Sequence, residues 1–213
     1  MADLDHQVGY WTTTGAAKTF THPLELTWLD GVDRGARILD YGCGYGRLTA
    51  YLRDHGFAHV EGADIAPALI DRARAAAPDL TFHLMDEPPA LPHPDDALDV
   101  VVLFAVLTCV PDDGAQRDLI AELRRVLRPG GLLYVSDLPL QDDARNRERY
   151  ERFARTYGTY GVFETGDGGV CRHHDRAWLA DLLGEFTVAA ERTVVVPTMN
   201  GNEVTAVQLL ARA

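Results

Sequence analysis

Cysteine is scarce in this sequence, and its spacing forms no motif. The 213 residues include three cysteines, Cys43, Cys109 and Cys171, with no C-x-x-C pair among them. An odd number of widely spaced cysteines argues against a disulfide framework and against a zinc site. We therefore expect three buried thiols and no bound metal.

Long apolar runs and targeting signals are missing too. No apolar run approaches the ~18 residues that a transmembrane helix needs. Residues 1–10 are acidic and polar, where a signal peptide has a basic start and an apolar core. These absences predict a soluble cytoplasmic protein that does not bind a membrane.

Positive charge is also in short supply. The chain has 20 Lys and Arg against 32 Asp and Glu, a formal net charge of −12. Nucleic acids are bound by clustered basic residues, so they are disfavoured as substrates, and we expect a small-molecule substrate. Arginine is concentrated only in residues 145–155, where acidic residues interleave with it. That pattern predicts a solvated helix face with ion pairs three and four residues apart.

What the sequence does contain is a glycine-rich turn after an acid. A short apolar run ends in Asp40, and glycines follow at alternate positions, Gly42, Gly44 and Gly46. Such glycines let the backbone turn tightly from a strand into a helix and let a ligand lie against the main chain. The dinucleotide fingerprint G-x-G-x-x-G is incomplete because Arg47 stands at its third glycine, and no Lys-Ser/Thr pair of a P-loop follows.

This turn and four later segments resemble the class I S-adenosylmethionine-dependent methyltransferases of the small-molecule type. The later segments resemble, in order, the family's second, third and fourth strands and the turn before its fifth strand. They are residues 60–67, 80–86, 98–104 and 125–131. The resemblance covers roughly residues 37–137, and five segments in order are far more specific than the glycine turn alone.

The resemblance implies S-adenosylmethionine as cofactor and a set of residues that bind it. The set is Trp11, Asp40, Gly42, Gly44, Asp64, Ile65, Asp86 and Phe104. Asp40 would help to hold the methionine portion, Asp64 the ribose hydroxyls, and Asp86 the adenine amino group, with Glu87 as a rival. Trp11 would lie against the methionine end. The alternatives are that Asp40 only stabilises the turn, Asp64 caps a helix, and Asp86 lies in a plain turn.

The order of predicted elements gives the fold class. Predicted strands lie at 36–41, 58–63, 80–85, 98–103, 132–137, 186–196 and 204–211. Predicted helices lie at 23–31, 46–55, 67–76, 113–127, 142–157 and 175–183. Alternating strands and helices argue for an α/β fold with a parallel sheet, and Asn200-Gly201 predicts a terminal hairpin whose last strand is antiparallel. The resemblance implies a Rossmann-like, doubly wound sheet of seven strands.

The chain length favours one domain, 1–213. We divide it into an N-terminal cap (1–35), a cofactor-binding core (36–137), a lid or substrate insertion (138–185) and a terminal hairpin (186–213). In such sheets, ligands bind beyond the carboxyl ends of the strands, where the strand order reverses. The predicted acids and Phe104 all fall at those ends.

The insertion holds the candidates for acceptor chemistry. His173 or His174 is the candidate general base for a hydroxyl acceptor, whereas an amine or thiolate acceptor needs no strong base. Aromatic residues among glycines in residues 157–169 predict a lid over a small substrate. The alternative is a packed hairpin, with Asp175 capping the helix that follows.

The predicted function is therefore methyl transfer to an oxygen, nitrogen, sulfur or carbon atom of a small molecule, by a monomer or homodimer. Two alternatives stay open from the sequence. One is an NAD-dependent oxidoreductase, which Arg47 disfavours. The other is a non-catalytic protein that binds S-adenosylmethionine without an acceptor pocket.

Overall fold

Seven strands form one sheet in the computed structural model, which describes residues 6–213. They are β1 (Arg37–Tyr41), β2 (His59–Asp64), β3 (Thr81–Leu84), β4 (Leu98–Phe104), β5 (Leu127–Asp137), β8 (Thr187–Pro197) and β9 (Glu203–Arg212). Strands β6 (Val162–Glu164) and β7 (Val170–Arg172) form a separate antiparallel hairpin. The first five residues of the predicted N-terminal cap lie outside the described residues.

Helices connect these strands. They are α1 (Val8–Trp11), α2 (Arg47–Asp54), α3 (Pro67–Ala76), α4 (Asp113–Val126), α5 (Ala144–Tyr157) and α6 (Arg176–Leu182), with short 3-10 turns at Thr14–Ala17, Leu26–Leu29 and Leu107–Cys109. No helix among residues 6–213 is both long enough and apolar enough to cross a bilayer.

The strand order in the sheet is β3-β2-β1-β4-β5-β9-β8. Strands β1 to β5 are parallel, and β9 is antiparallel to both of its neighbours. The order reverses between β1 and β4, so their connections leave to opposite sides and open a crevice there. The predicted Rossmann-like, seven-stranded sheet with one antiparallel strand is confirmed.

Burial on both faces explains why β1 is a continuous apolar run. Successive side chains of a strand point to opposite faces, and neither Ile38 nor Leu39 is exposed. Ile38 belongs to a core that includes Leu48 of α2. Leu39 belongs to the core on the other face, with Leu119 and Leu123 of α4. The two cores hold the carboxyl end of β1, and with it Asp40, in a fixed position.

The terminal hairpin forms as predicted. Strands β8 and β9 pair antiparallel from Pro197 and Glu203 inward. Gly201 closes the turn with a φ of 78°, and its N–H donates to the Thr198 carbonyl at 2.8 Å. Glycine adopts this left-handed conformation without steric cost, which is why the Asn-Gly pair was informative.

One predicted helix is wrong. Residues 23–31 do not form an α-helix, and only Leu26–Leu29 make a single 3-10 turn. The Glu25 N–H donates to the Tyr134 hydroxyl at 2.9 Å, and Trp28 packs on the Tyr134 ring with centroids 5.1 Å apart. Tertiary contacts with β5 therefore set the backbone of this segment.

The insertion consists of α5, the β6–β7 hairpin and α6. Asp175 caps α6, since its side chain accepts the Ala177 N–H at 2.7 Å. A packed hairpin with this cap is the alternative that the sequence left open. Whether the segment also opens and closes as a lid stays a prediction.

Candidate functional site

A cavity lies beyond the carboxyl ends of β1, β2 and β4, at the reversal of the strand order. Six of the eight predicted cofactor residues line it: Trp11, Asp40, Gly42, Asp64, Ile65 and Phe104. The cavity continues to the insertion, where residues of α5, β6 and the segment after β7 line it. One end of the cavity therefore lies in the predicted cofactor region, and the other lies in the predicted acceptor region.

The glycine turn is folded against the end of β2. Gly42 and Gly44 have φ values of 70° and 56°, in the left-handed region that favours glycine. A Cβ on Gly42 would collide with Val106. A Cβ on Gly44 would lie 2.8 Å from Phe20 Cε2. Gly44 does not itself line the cavity, but its conformation allows Phe20, which does line it, to pack on the turn.

Asp64 stands at the end of β2 with its carboxylate buried. Its Oδ2 accepts the Gly44 N–H at 2.8 Å, and its Oδ1 accepts the Ala66 N–H at 2.9 Å. Burial raises the pKa of this carboxyl, and the amide hydrogen bonds oppose that rise. Asp64 is not the N-cap of α3, because Ala66 occupies that position. A carboxylate oxygen can accept more than one hydrogen bond, so both oxygens keep acceptor capacity toward the cavity.

Asp40 lies at the end of β1 and contacts the first turn of α2. Its Oδ2 accepts the Thr49 N–H at 3.0 Å and the Thr49 hydroxyl at 2.7 Å. Burial raises the pKa of Asp40 to about 6, although these hydrogen bonds favour the ionised form. Asp40 therefore anchors the first turn of α2, and it also lines the cavity.

Apolar and aromatic side chains cover the cavity between these acids and the surface. Trp11 is 8% exposed, and its ring centroid lies 6.1 Å from that of Phe20. Phe20 in turn stacks on Tyr45 at 5.9 Å. Phe104, at the end of β4, packs edge-on against Tyr134 at 4.9 Å. The segment before β1 thus crosses the cavity, and the contact of Trp11 with the methionine end of the cofactor stays a prediction.

Asp86 does not reach the cavity. The strand β3 ends at Leu84, and Met85 is the residue of this segment that is buried and lines the cavity. The Met85 N–H donates to the Asp64 carbonyl at 2.9 Å, which continues the parallel pairing one residue further. Alternation along an extended chain then turns Asp86 to the solvent side, and Glu87 is exposed as well.

Sequence reasoning missed two basic residues at the cofactor end, Arg47 and His22. The Arg47 Nη2 donates to the His22 carbonyl at 2.6 Å, and its Nε is buried with no hydrogen-bond partner. Burial, and then the charge of Arg47, lower the pKa of His22 to about 4. The His22 Nδ1 lies 2.8 Å from Ser136 Oγ. No local motif marks His22, and the sequence marks Arg47 only as a departure from the dinucleotide fingerprint.

The two candidate histidines have different positions. His174 is fully buried and does not line the cavity. Its Nδ1 donates to the Leu138 carbonyl at 3.2 Å, and its Nε2 lies 2.9 Å from Gln116 Nε2. Burial lowers the pKa of His174 to about 3. The structure therefore contradicts His174 as a base in the site, because both ring nitrogens are engaged in the core.

His173 does line the cavity, on the acceptor side. Its Nδ1 lies 2.5 Å from the Tyr150 hydroxyl, and its Nε2 lies 3.5 Å from Arg149 Nη2. Burial, followed by the charge of Arg149, holds the pKa of His173 well below its usual value. His173 is therefore neutral at physiological pH and is a weak proton acceptor.

Arg149 departs from the predicted solvated face of α5, whereas the other arginines of this helix are exposed as predicted. Arg145 and Arg149, one helical turn apart, line the cavity, and neither forms any of the ion pairs found among residues 6–213. The Arg149 guanidinium carbon lies 3.5 Å from the centroid of the Phe163 ring. Tertiary packing on the β6–β7 hairpin thus turns part of this helix inward, which the charge pattern of α5 did not indicate.

Two of the three cysteines, Cys43 and Cys171, are buried as predicted, and the third, Cys109, is partly buried. Burial raises the pKa of all three, so none is a reactive thiolate. In the part of the chain that the structure describes, no group of three or more His, Cys, Asp or Glu side chains is arranged to hold a metal.

The cofactor end fits a nucleoside that carries an amino-acid group. The acid at the end of β2 has free acceptor capacity for a diol, and charge-assisted hydrogen bonds of this kind are strong. The buried and unpartnered Nε of Arg47 is a donor suited to an anionic group. Gly42 leaves no side chain between the turn and the cavity. These residues match the donor and acceptor groups of S-adenosylmethionine.

Comparison with known proteins identifies related chains. A family model described as a methyltransferase domain matches residues 38–131. A 2-methyl-6-phytyl-1,4-hydroquinone methyltransferase of Synechocystis is 37% identical over 118 residues, 54% of this chain and 36% of that protein. A ubiquinone biosynthesis O-methyltransferase of Xylella fastidiosa is 34% identical over 139 residues, 61% of this chain and 54% of that protein. The chain thus spans about half or less of these relatives' own lengths.

The solved structures include one that matches almost throughout. A SAM-dependent methyltransferase from Methanosarcina mazei superposes with a TM-score of 0.83 at 26% identity, covering 90% of this chain and 98% of that one. This match extends beyond residues 38–131.

Proposed function

We propose that this chain, which belongs to the class I S-adenosylmethionine-dependent methyltransferase family, transfers a methyl group to a nucleophilic atom of a small molecule. The observation that carries the proposal is the continuity of the cavity. It extends from Asp40 and Asp64 at the strand ends to Arg149 and His173 of the insertion. A donor and an acceptor can therefore occupy one continuous cavity.

The residues at the strand ends bind and orient the cofactor. Asp64 would accept hydrogen bonds from the ribose hydroxyls, Arg47 would donate to the methionine carboxylate, and Met85 would lie against the adenine in place of Asp86. When bound, the cofactor supplies a methyl group that its sulfonium already activates. The chain needs mainly to align two reactants, and alignment alone can supply roughly 7 to 11 kcal/mol of barrier reduction.

His173 contacts the acceptor but is not a strong base. Burial and Arg149 keep its pKa well below the value that suits proton abstraction near neutrality. The acceptor is therefore a nucleophile that needs no strong base, such as an amine, a thiolate, a carboxylate or an ionised phenol. The names of the relatives include an O-methyltransferase and a hydroquinone methyltransferase, which supports a small acceptor molecule.

A thermal-shift titration separates this proposal from its alternatives. S-adenosylhomocysteine should stabilise the protein and NAD should not, whereas the reverse would identify an oxidoreductase. Turnover with a panel of small acceptors then separates an enzyme from a non-catalytic binding protein. A complete lack of stabilisation by millimolar S-adenosylhomocysteine would refute the proposal.

Cellular location, oligomeric state and nucleic-acid binding are also part of the proposal. The protein acts in the cytoplasm as a monomer or homodimer and does not bind nucleic acid. Its net charge of −12 supports the absence of nucleic-acid binding. Size-exclusion chromatography with light scattering measures the oligomeric state, and a filter-binding assay with RNA and DNA tests the exclusion of nucleic acid.

A further inference from the structure

Arg149 is a cation in the cavity wall without a counterion. It lies on α5, its Nε is buried with no hydrogen-bond partner, and no carboxylate among residues 6–213 lies within ion-pair distance of it. Removing a guanidinium from water without a counterion is unfavourable. The same helix face adds Arg145 one turn away, a second positive charge that also lines the cavity.

The surroundings of Arg149 hold it in place without neutralising it. The guanidinium carbon lies 3.5 Å from the centroid of the Phe163 ring, which covers one face of the group, and 5.7 Å from the centroid of the Tyr150 ring. A cation–π contact fixes the plane of the group and leaves its edge free to donate. The guanidinium edge carries paired N–H groups whose spacing matches the two oxygens of a carboxylate.

His173 orients this edge. The Arg149 Nη2 donates to His173 Nε2 at 3.5 Å, because a guanidinium has donors only. A neutral imidazole with Nε2 as acceptor carries its proton on Nδ1, which lies 2.5 Å from the Tyr150 hydroxyl. His173 thus holds one corner of the guanidinium, and the buried Nε–H of Arg149 stays without a partner and available to a ligand.

Much of the cavity wall is apolar. Leu138, Phe163, Met199 and Val204 line it, together with the polar residues Thr198, Asn200 and Asn202. A highly hydrated dianion would lose much of its hydration energy among such side chains. A single carboxylate on an apolar body matches both the donors and the walls.

We propose that the acceptor molecule carries a carboxylate that Arg149 binds, with Arg145 as an additional donor and His173 holding the guanidinium in place. This inference rests on the proposed function, because it names the class of acceptor for the same cavity. It assigns Arg149 as a specificity-determining residue.

Matched pairs of a carboxylate and its primary amide test the charge directly. The pairs are acetate and acetamide, benzoate and benzamide, phenylacetate and phenylacetamide, and cinnamate and cinnamamide. Binding to the wild-type protein is measured by calorimetry, with and without saturating S-adenosylhomocysteine. We expect at least one carboxylate to bind roughly 10- to 100-fold more tightly than its amide, the range for a hydrogen bond to a charged group.

Variants of one helix supply the control. Arg149→Met should abolish the preference for carboxylate, Arg149→Lys should retain part of it, and Arg145→Met should weaken it less. Arg147→Met removes an exposed arginine of the same helix that does not line the cavity, so the preference should be unchanged. Circular dichroism and the thermal shift with S-adenosylhomocysteine verify that each variant is folded and binds the cofactor.

Three outcomes would overturn the inference. They are no preference for any carboxylate over its amide, a preference that survives in Arg149→Met, and saturation by inorganic phosphate or sulfate at lower concentration than by every carboxylate. Failure of the proposed function has a different signature, since S-adenosylhomocysteine would then not stabilise the wild-type protein. If S-adenosylhomocysteine does not bind, the calorimetry without cofactor still measures whether carboxylates bind more tightly than their amides.

Discussion

Replacing Asp64 by Ala tests the cofactor end of the cavity most directly. The carboxylate has two roles in the structure, since it accepts the Gly44 and Ala66 amides and presents its oxygens to the cavity. Loss of a hydrogen bond to a charged group costs about 1.5 to 3 kcal/mol, so affinity for S-adenosylhomocysteine should fall roughly 10- to 150-fold. Calorimetric titration measures this change.

The same substitution should also lower stability. The buried Gly44 N–H would lose its acceptor, and an unsatisfied buried donor costs about 1 to 3 kcal/mol. Urea denaturation without ligand gives this second quantity separately from the affinity. The variant should therefore be both less stable and weaker in binding, which distinguishes a carboxylate that builds the turn from one that only meets the ligand.

Asp86→Ala is the matched control. Asp86 is exposed and lies one strand away from Asp64, outside the cavity lining. Its removal should change neither the affinity nor the stability by more than about 0.5 kcal/mol. Equal losses of affinity in both variants, or unchanged affinity in Asp64→Ala, would refute the assignment of the ribose contact.

Residues whose role follows from a local backbone requirement could be predicted from the sequence. The glycines after Asp40 mark a turn that needs left-handed conformations, and that turn fixes the position of the strand end. Asn200-Gly201 marks the terminal hairpin in the same way. The end of β3 was harder to place, because an error of one residue exchanges a buried Met85 for an exposed Asp86.

Residues that meet only through tertiary packing could not be predicted. His22, Arg47 and Ser136 come from three separate segments, and only the crossing of the N-terminal segment brings them together. The charge pattern of α5 is locally that of a solvated helix. What turns Arg149 inward is Phe163 of the following hairpin, a contact that has no signal within the helix itself.

Three further predictions concern the glycine turn and the histidines. Gly44→Val should abolish the stabilisation by S-adenosylhomocysteine, which is about 2.7 kcal/mol at 100 times the dissociation constant. The backbone at this position is left-handed, and the valine side chain would collide with Phe20. A thermal shift that is retained in the variant would contradict the role of the turn. His173→Asn should lower kcat/KM about tenfold on an accepted substrate and leave the cofactor affinity unchanged. His174→Asn should mainly lower the stability measured by urea denaturation. A loss of roughly 10²- to 10⁴-fold in kcat/KM for His173→Asn would instead indicate that His173 is a general base. His22→Gln should alter the pH dependence of stability. The pKa of His22 is about 4 when folded and about 6.5 when unfolded, so its contribution is fully present above pH 6.5 and is lost as the pH falls toward 4. Between pH 7.5 and pH 5 the wild-type protein should lose about 2 kcal/mol that the variant does not lose, since all other titrating groups cancel in the difference. Urea denaturation of both proteins at the two pH values measures that difference, and an equal change in both would show that His22 is not held neutral by burial.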